Sequence, residues 1–313
     1  MTAIVTVTPN PAVDLSTSVE RIVPVQKLRG TSQRRSPGGG GINVARVVTR
    51  LGGNIKAIYS AGGAIGELLR RLLDGEGVSG QAIPIADETR EDFFVNEIGT
   101  GQQYRFILPG PRLAEHEWKA CLAAVTALEP FPSFLIGSGS LPAGVPDDFY
   151  AQLARIAKRR GASVIVDTSG AALAAAVAEG VDLIKPNLRE MRELCGGADT
   201  PTAWEAAART LVENGRAKIV ALTMGHLGAT LVTREGIWRA KPLTITPLSA
   251  VGAGDSFLGA LVFHLAAGAA PANCFRFAVA AGAAALLAPG TGLCRPEDVA
   301  RLVRDVTIEV ANN

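Results

Sequence analysis

The sequence is short of the features that mark most specialised protein classes. Its four cysteines, Cys121, Cys195, Cys274 and Cys294, are scattered without Cys-x-x-Cys spacing, which argues against a zinc site and a disulfide framework and fits a reducing cytoplasm. Net charge is only +2, and there is neither a long basic run nor a set of aromatics interleaved with one, so no nucleic-acid partner is expected. His116, His226 and His264 have no neighbours in sequence that suggest a triad, and none is assigned to catalysis. The longest apolar stretch, Phe277–Ala288, is too short to cross a bilayer and reads as a buried helix, so no membrane partner is expected. Met1–Pro11 alternates like a strand and lacks the basic leader and apolar core of a signal peptide. No Gly-Lys pair occurs anywhere, which removes the common phosphate loop from consideration.

What is present is an ordinary globular balance, with 48% hydrophobic and 19% charged residues in 313, and one domain over 1–313 is the expectation. Strand and helix patterns alternate: strand Ala3–Val7, helix Ile42–Leu51, strand Ile55–Tyr59 and helix Ile65–Leu73. The alternation resumes with strand Phe134–Ile136, helix Asp147–Lys158, strand Ser163–Val166, helix Ala171–Ala178 and strand Asp182–Ile184. It predicts an α/β fold with a mostly parallel sheet flanked by helices. Strands Ile219–Thr223 and Ala229–Thr233 precede helices Asp255–Ala267, Ala272–Leu287 and Pro296–Val306. Two segments, Asp14–Arg35 and Thr89–Leu108, have strand-like patches without helical period, and a hairpin is signalled at Gly99, Thr100 and Gly101. These insertions, at about 12–36 and 89–109, read as one small β-sheet lid whose exposed edge favours a homodimer.

Two glycine turns each open a helix. Pro37-Gly-Gly-Gly-Gly-Ile-Asn43 leads into the apolar period of Val44, Val47, Val48 and Leu51. A turn free of side chains exposes amide donors, and Asn43 adds an amide suited to a polyhydroxyl ligand; the plainer reading is a flexible turn. Val251-Gly-Ala-Gly-Asp-Ser256 precedes Phe257, Leu258, Leu261 and Val262. Amides at a helix N-terminus suit the charge that spreads over a moving phosphoryl group. Asp255 is placed to take a proton from an attacking hydroxyl, its alternative being a helix N-cap. Neither turn completes Gly-x-Gly-x-x-Gly, because Asn43 and Phe257 stand where the third glycine belongs.

Six ordered motifs then make the chain resemble the ribokinase-like sugar kinases, in their phosphofructokinase B branch. They are Thr8-Pro-Asn-Pro-Ala-Val-Asp14, Gly38 to Asn43, Gly137-Ser-Gly-Ser-Leu-Pro142, Asp167-Thr-Ser-Gly170, Lys185-Pro-Asn-Leu-Arg-Glu190 and Gly252-Ala-Gly-Asp255. The resemblance implies a ribokinase-like α/β domain with a β-lid, and transfer of the ATP γ-phosphoryl to a phosphorylated sugar with Mg²⁺. It implies Asp255 as base with an anion hole from the amides of Gly252, Ala253 and Gly254. Asp14, Gly38, Gly39 and Asn43 would hold sugar hydroxyls, while Lys27, Arg29, Arg90, Arg105 and Ser140 would face the sugar's phosphate, for which lysine and arginine are chemically apt. On the nucleotide side it implies Lys185, Asn187, Glu190, Thr223, Gly225 and Gly228, with Glu190 reaching Mg²⁺ through water. Taken alone, Asn187 and Glu190 read as a helix cap and its capping-box partner. A K⁺ site is implied at Ser249 and Val251, although Ala250 stands where threonine is usual, and Ala288 and Pro289 replace polar residues before Gly290.

Within the branch, Pro37–Asn43 and Gln103–Gly110 look most like the 6-phosphofructokinase type, with 1-phosphofructokinases and tagatose-6-phosphate kinases sharing nearly all the motifs. A kinase of an unphosphorylated sugar or nucleoside sits poorly with Lys27 and Arg90. An inactive nucleotide- or sugar-binding regulator sits poorly with an intact Asp255 turn.

Overall fold

The computed structural model describes residues 4–196 and 199–311. The chain opens with β1 (Ile4–Thr8), β2 (Ala12–Val19), β3 (Arg34–Gly38), α1 (Gly40–Arg50), β4 (Ile55–Ala61), α2 (Gly63–Gly75) and β5 (Ser79–Pro84). It continues with β6 (Arg90–Glu97), β7 (Gln102–Phe106), α3 (Glu115–Thr126), β8 (Phe134–Ser138), α4 (Phe149–Arg159), β9 (Ser163–Asp167), α5 (Gly170–Glu179) and β10 (Val181–Ile184). The last part holds α6 (Leu188–Cys195), α7 (Pro201–Glu213), β11 (Ala217–Thr223), β12 (Ala229–Thr233) and β13 (Gly236–Ala240). It ends with α8 (Ala253–Ala266), α9 (Pro271–Leu286), α10 (Pro296–Leu302) and β14 (Ile308–Ala311). Ala3, where the first strand was expected to start, lies outside the described residues.

The main sheet runs β14-β13-β12-β11-β10-β9-β8-β1-β4-β5. From β11 to β5 every pairing is parallel, and β12, β13 and β14 add an antiparallel edge. Alternate residues feed opposite faces, as a strand's period of two requires. Thus Ile136 and Ile165 join the layer of α1, α8 and α9, whereas Leu135, Val164 and Val166 join that of α4, α5 and α7. β1 lies between β4 and β8, the strands that follow it on either side, so the winding direction reverses there. Open parallel sheets bind ligands at the carboxyl ends of strands beside such a switch.

The second sheet, β3-β2-β6-β7, is the lid expected from the two insertions. Its hairpin turns at Gly99–Gly101, with Glu97 paired to Gln102. Residues 20–33, which carry Pro24 and Gly30, form no strand, so the first insertion contributes only its two ends to the sheet. Proline offers no amide to a ladder and glycine no side chain to pack. The structure also starts α1 two residues earlier than expected, ends α10 at Leu302 rather than Val306, and supplies β13 and β14, which the sequence patterns did not signal. Among the described residues, no helix is long and apolar enough to cross a membrane.

α1 and α8 pack at backbone distance. A Cβ on Gly259 of α8 would stand 2.6 Å from Val47 Cγ1 and 2.8 Å from Val47 Cβ of α1, a clash that only a shift of one helix relieves. Gly259→Ala is therefore expected to lower the urea midpoint: overpacking costs about 1–3 kcal/mol, more than the ~1 kcal/mol that alanine returns in helix propensity. An unchanged or higher midpoint would mean the two helices have room to spare.

Candidate active site

Both glycine turns bring a helix N-terminus to the carboxyl ends of the parallel strands. The N-cap of α1 is Gly39, with φ of 103°. Beside it, Gly38 passes so close to β2 that a Cβ there would lie 2.2 Å from Asp14 Oδ1. Gly40 and Gly41 are already helical, and their backbones lean on Ser138 of β8 and Thr8 of β1, the strands that flank the switch. The N-cap of α8 is Gly252 in the left-handed region, φ 75°, a conformation glycine takes without strain. Ala253 and Gly254 occupy the first turn, whose amides have no partner within the helix.

Asp255 is the third residue of α8 and does not cap it, which removes the N-cap alternative. Its carboxylate turns instead to the other helix, where Asn43 Nδ2 donates to Asp255 Oδ2 at 2.9 Å. Burial pushes the Asp255 carboxyl above the ordinary range, opposed by the Asn43 hydrogen bond and by the charges of Lys185, Arg105 and Arg46. The residue keeps partial solvent access, as a group that meets a ligand requires.

Asp14 is buried at 5% exposure, and burial with the nearby Asp92 charge raises its pKa to about 7 against the pull of Arg46 and Arg90. Arg90 is close by: its guanidinium is 3.7 Å from Asp92 and reaches the carbonyl of Asn10 at 3.4 Å. Asn10 in turn donates to Ser140 Oγ at 3.1 Å. Arg105 is exposed, with its guanidinium 5.6 Å from the centre of the Phe94 ring. Lys27 and Arg29 are exposed in the loop after β2. The structure thus gathers Asp14, Gly38, Gly39, Asn43, Arg90, Ser140 and Asp255, and leaves Lys27 and Arg29 on the lid surface.

On the other side of Asp255 lies a buried ionic cluster. Lys185 Nζ stands 3.2 Å from Asp167 Oδ1, and a Cβ on Gly254 would come within 3.3 Å of the same nitrogen. Burial works against the Lys185 ammonium, yet Asp167, Glu190 and Asp255 together hold its pKa above the usual value. One ammonium cannot balance all these carboxylates, and burial lifts Asp167 to about 6 despite Lys185. Asn187 and Glu190 form the reciprocal capping box of α6, Asn187 Oδ1 accepting from the Glu190 amide at 3.0 Å and Glu190 Oε2 from the Asn187 amide at 2.9 Å. Both readings of the pair remain compatible, because the box uses only one oxygen of Glu190. Thr223 bridges to Asn187, and the short 3₁₀ turn that follows begins at Gly225 and is closed by Gly228. Ser249 Oγ donates to the Gly290 carbonyl at 2.6 Å and accepts from the Val251 amide at 3.2 Å.

Three further residues belong to this neighbourhood. Arg46, without solvent exposure, donates to Asn43. Asp167 ends β9 within a motif whose position at the carboxyl end of a parallel strand was the available signal. Gln103 of the lid lies with Oε1 3.2 Å from Ser249 Oγ, so the lid sheet touches the loop that precedes α8. Among the described residues, no three His, Cys, Asp or Glu side chains converge tightly enough to hold a metal directly.

The chain is similar to known proteins over nearly its whole length. The chain is 45% identical over 300 residues to an ATP-dependent 6-phosphofructokinase isozyme 2 of Mycobacterium tuberculosis, covering 95% of this chain and 88% of that one. It is 41% identical over 304 residues to the isozyme 2 of Escherichia coli, covering 96% and 98%. Crystal structures of phosphofructokinase-2 from Escherichia coli, in complex with potassium and with fructose-6-phosphate, superpose with TM-scores of 0.92 and 0.91 at 40% and 39% identity, each covering 97% of this chain and 99% of that one. A family profile described as pfkB family carbohydrate kinase matches residues 7–298. With its two helix N-termini joined through Asn43 and Asp255, the chain belongs to the pfkB family of carbohydrate kinases.

Proposed function

We propose that the protein is an ATP-dependent 6-phosphofructokinase, transferring the γ-phosphoryl of ATP to the free primary hydroxyl of fructose 6-phosphate. The observation that carries this reading is the 2.9 Å hydrogen bond between Asn43 and Asp255. It ties the turn that suits a sugar to the turn that suits a phosphoryl group, and leaves Asp255 Oδ1 for the substrate. Asp255 accepts the hydroxyl proton while that oxygen bonds to phosphorus and the bond from phosphorus to the β,γ-bridging oxygen breaks, releasing ADP. Fixed amides of Gly252, Ala253 and Gly254 at the start of α8 face the transferred group and need no rearrangement as its charge spreads.

Asp14, the backbone at Gly38 and Gly39, and Asn43 hold the sugar hydroxyls, with the sugar's own phosphate facing Arg90 and Ser140. Arg105, Lys27 and Arg29 extend this basic surface along the lid. ATP lies along Lys185, Asn187, Thr223, Gly225 and Gly228. Glu190 and Asp167 would serve Mg²⁺ through water, and the carboxylate excess around Lys185 suits an added divalent cation. When bound, Mg²⁺ would supply charge neutralisation to the phosphates of the nucleotide. K⁺ would sit by the loops of Ser249, Val251 and Gly290, where the buried hydroxyl oxygen of Thr291 has no partner. The lid exposes Val25, Leu28, Ile98, Phe106, Ile107 and Leu108 beside the open edges of β3 and β7, which supports a homodimer formed through the lid. Free thiols at all four cysteines agree with a cytoplasmic setting.

Three outcomes test the reading. Asp255→Asn should lower kcat at least about 100-fold with KM values little changed; near-normal turnover removes Asp255 from the role of base. Asp14→Asn should raise the KM for fructose 6-phosphate while stabilising the protein at pH 8. The sign follows from a folded pKa of about 7 against 3.8: the folded state holds the proton more tightly, so stability falls as pH rises between these values and stays lower above them. Replacing the carboxyl by a neutral amide returns on the order of a few kcal/mol at pH 8 and little at pH 4, read from melting curves. Finally, ADP release should be fastest with fructose 6-phosphate in a panel that includes fructose 1-phosphate, tagatose 6-phosphate, ribose and adenosine. Preference for an unphosphorylated compound overturns the substrate.

A further inference from the structure

Arg46 sits on α1 with no solvent exposure, and the chemistry set out above gives it no task. Taking a guanidinium out of water costs several kcal/mol unless its donors are satisfied. Here they are. Nε donates to Glu76 Oε2 at 2.9 Å and Nη2 to Glu76 Oε1 at 2.7 Å, the paired fork that arginine forms with a carboxylate. Nη1 then has two hydrogens left over. One goes to the carbonyl of Pro37 at 2.7 Å, just before the glycine turn, and the other to Asn43 Oδ1 at 3.0 Å. Glu76 is also held by Arg50 Nη2 at 3.1 Å, at the end of α2.

A guanidinium only donates, and a carboxylate without a proton only accepts. Asn43 lies between one of each. With its oxygen on Arg46 and its nitrogen on Asp255 it makes two hydrogen bonds; rotated by half a turn it would oppose donor to donor and acceptor to acceptor. Arg46 therefore selects the amide orientation, and Glu76 selects the orientation of Arg46 by occupying its other edge.

We infer that Arg46, locked by Glu76, is a positioning residue for phosphoryl transfer: it aims the Asn43 amide at Asp255 Oδ2 and pins the Pro37 carbonyl beneath the glycine turn. The inference rests on the reading of Asp255 as the base. The chain from Glu76 to Asp255 crosses from the end of α2 through α1 to α8, and it fixes both the position of the base and the height of the turn that receives the sugar. It also places a positive charge near Asp14 and Asp255 that opposes the upward push of burial on both carboxyls.

The test uses Glu76→Gln, whose side chain at 28% exposure tolerates an isosteric change, together with Arg46→Lys and Arg46→Met. With melting curves confirming the fold, Glu76→Gln should lower kcat about tenfold and Arg46→Met about 100-fold, with the KM for ATP unchanged. Arg46→Lys retains the charge without the fork and should recover melting temperature more than kcat. Adding Asn43→Ala to Arg46→Met should cost clearly less than the product of the two single losses, because both changes disturb the same contact to Asp255. Full kcat in folded Glu76→Gln and Arg46→Lys proteins, or losses that multiply in the double variant, would overturn the inference. If Arg46→Met does not fold, Glu76→Gln and Arg46→Lys decide. Asp255→Asn separates the two levels: if it abolishes turnover while the Glu76 and Arg46 variants keep theirs, the relay fails and the base stands.

Discussion

The close crossing of α1 and α8 is the constraint from which the site follows. Val47 meets the bare backbone of Gly259, and this contact lets two helices lie side by side with their N-termini at the same end of the sheet. Each N-terminus carries unpaired amides and a positive dipole end. Brought together at the switch beside β1, they make a place for anionic and polyhydroxyl groups before any charged side chain is considered. The hydrogen bond from Asn43 to Asp255 closes the gap between them, and it exists only because the crossing puts the third residue of α8 within 2.9 Å of an amide on α1.

Charge is distributed around this point in a way that a lone folded chain does not favour. Asp14, Asp92, Asp167, Glu190 and Asp255 all have carboxyls pushed above their ordinary range, burial being the first cause in each. Such strain on ionised groups is a frequent mark of a functional site, where stability is forgone for reactivity. The cations are placed behind or beside the carboxylates: Arg46 beneath, Lys185 between Asp167 and Gly254. The protein supplies rigid anchoring charges, and on the proposed function a divalent cation arriving with the nucleotide would supply positive charge of the kind the carboxylate cluster lacks.

What could be read in the sequence was what is local. The turn Val251–Ser256 joins a glycine pattern to an apolar helical period within a few residues, so its position at the start of a helix and the exposure of its amides were legible. The parallel sheet was legible for the same reason, through strands and helices that alternate at close range. Arg46 was not. An arginine between Ala45 and Val47 looks like a solvated charge, and its burial depends on Glu76, 30 residues away. Lys27 and Arg29 were recognisable as phosphate-binding types, but the loop that carries them has no periodicity from which to derive its course. The strands β13 and β14, at the antiparallel end of the sheet, are each five residues or fewer, and their pairing is settled by the sheet rather than by their own composition.

The same division separates reaction from substrate. Groups that would move the phosphoryl stand on two packed helices and a buried lysine, where shifting one backbone displaces the others. Groups that would recognise the sugar's distinguishing phosphate stand on or near the lid, several of them exposed, and there a side chain can change without disturbing the crossing of α1 and α8. Gln103 is the exception that links the regions, because a lid strand that lies against Ser249 sets where the lid closes over the loop before α8. The distance between the sugar's phosphate and its reacting hydroxyl must match that seating. On the proposed function, the choice of sugar phosphate would therefore follow from how the lid rests on the loop before α8, more than from Asp255 or its glycine turn.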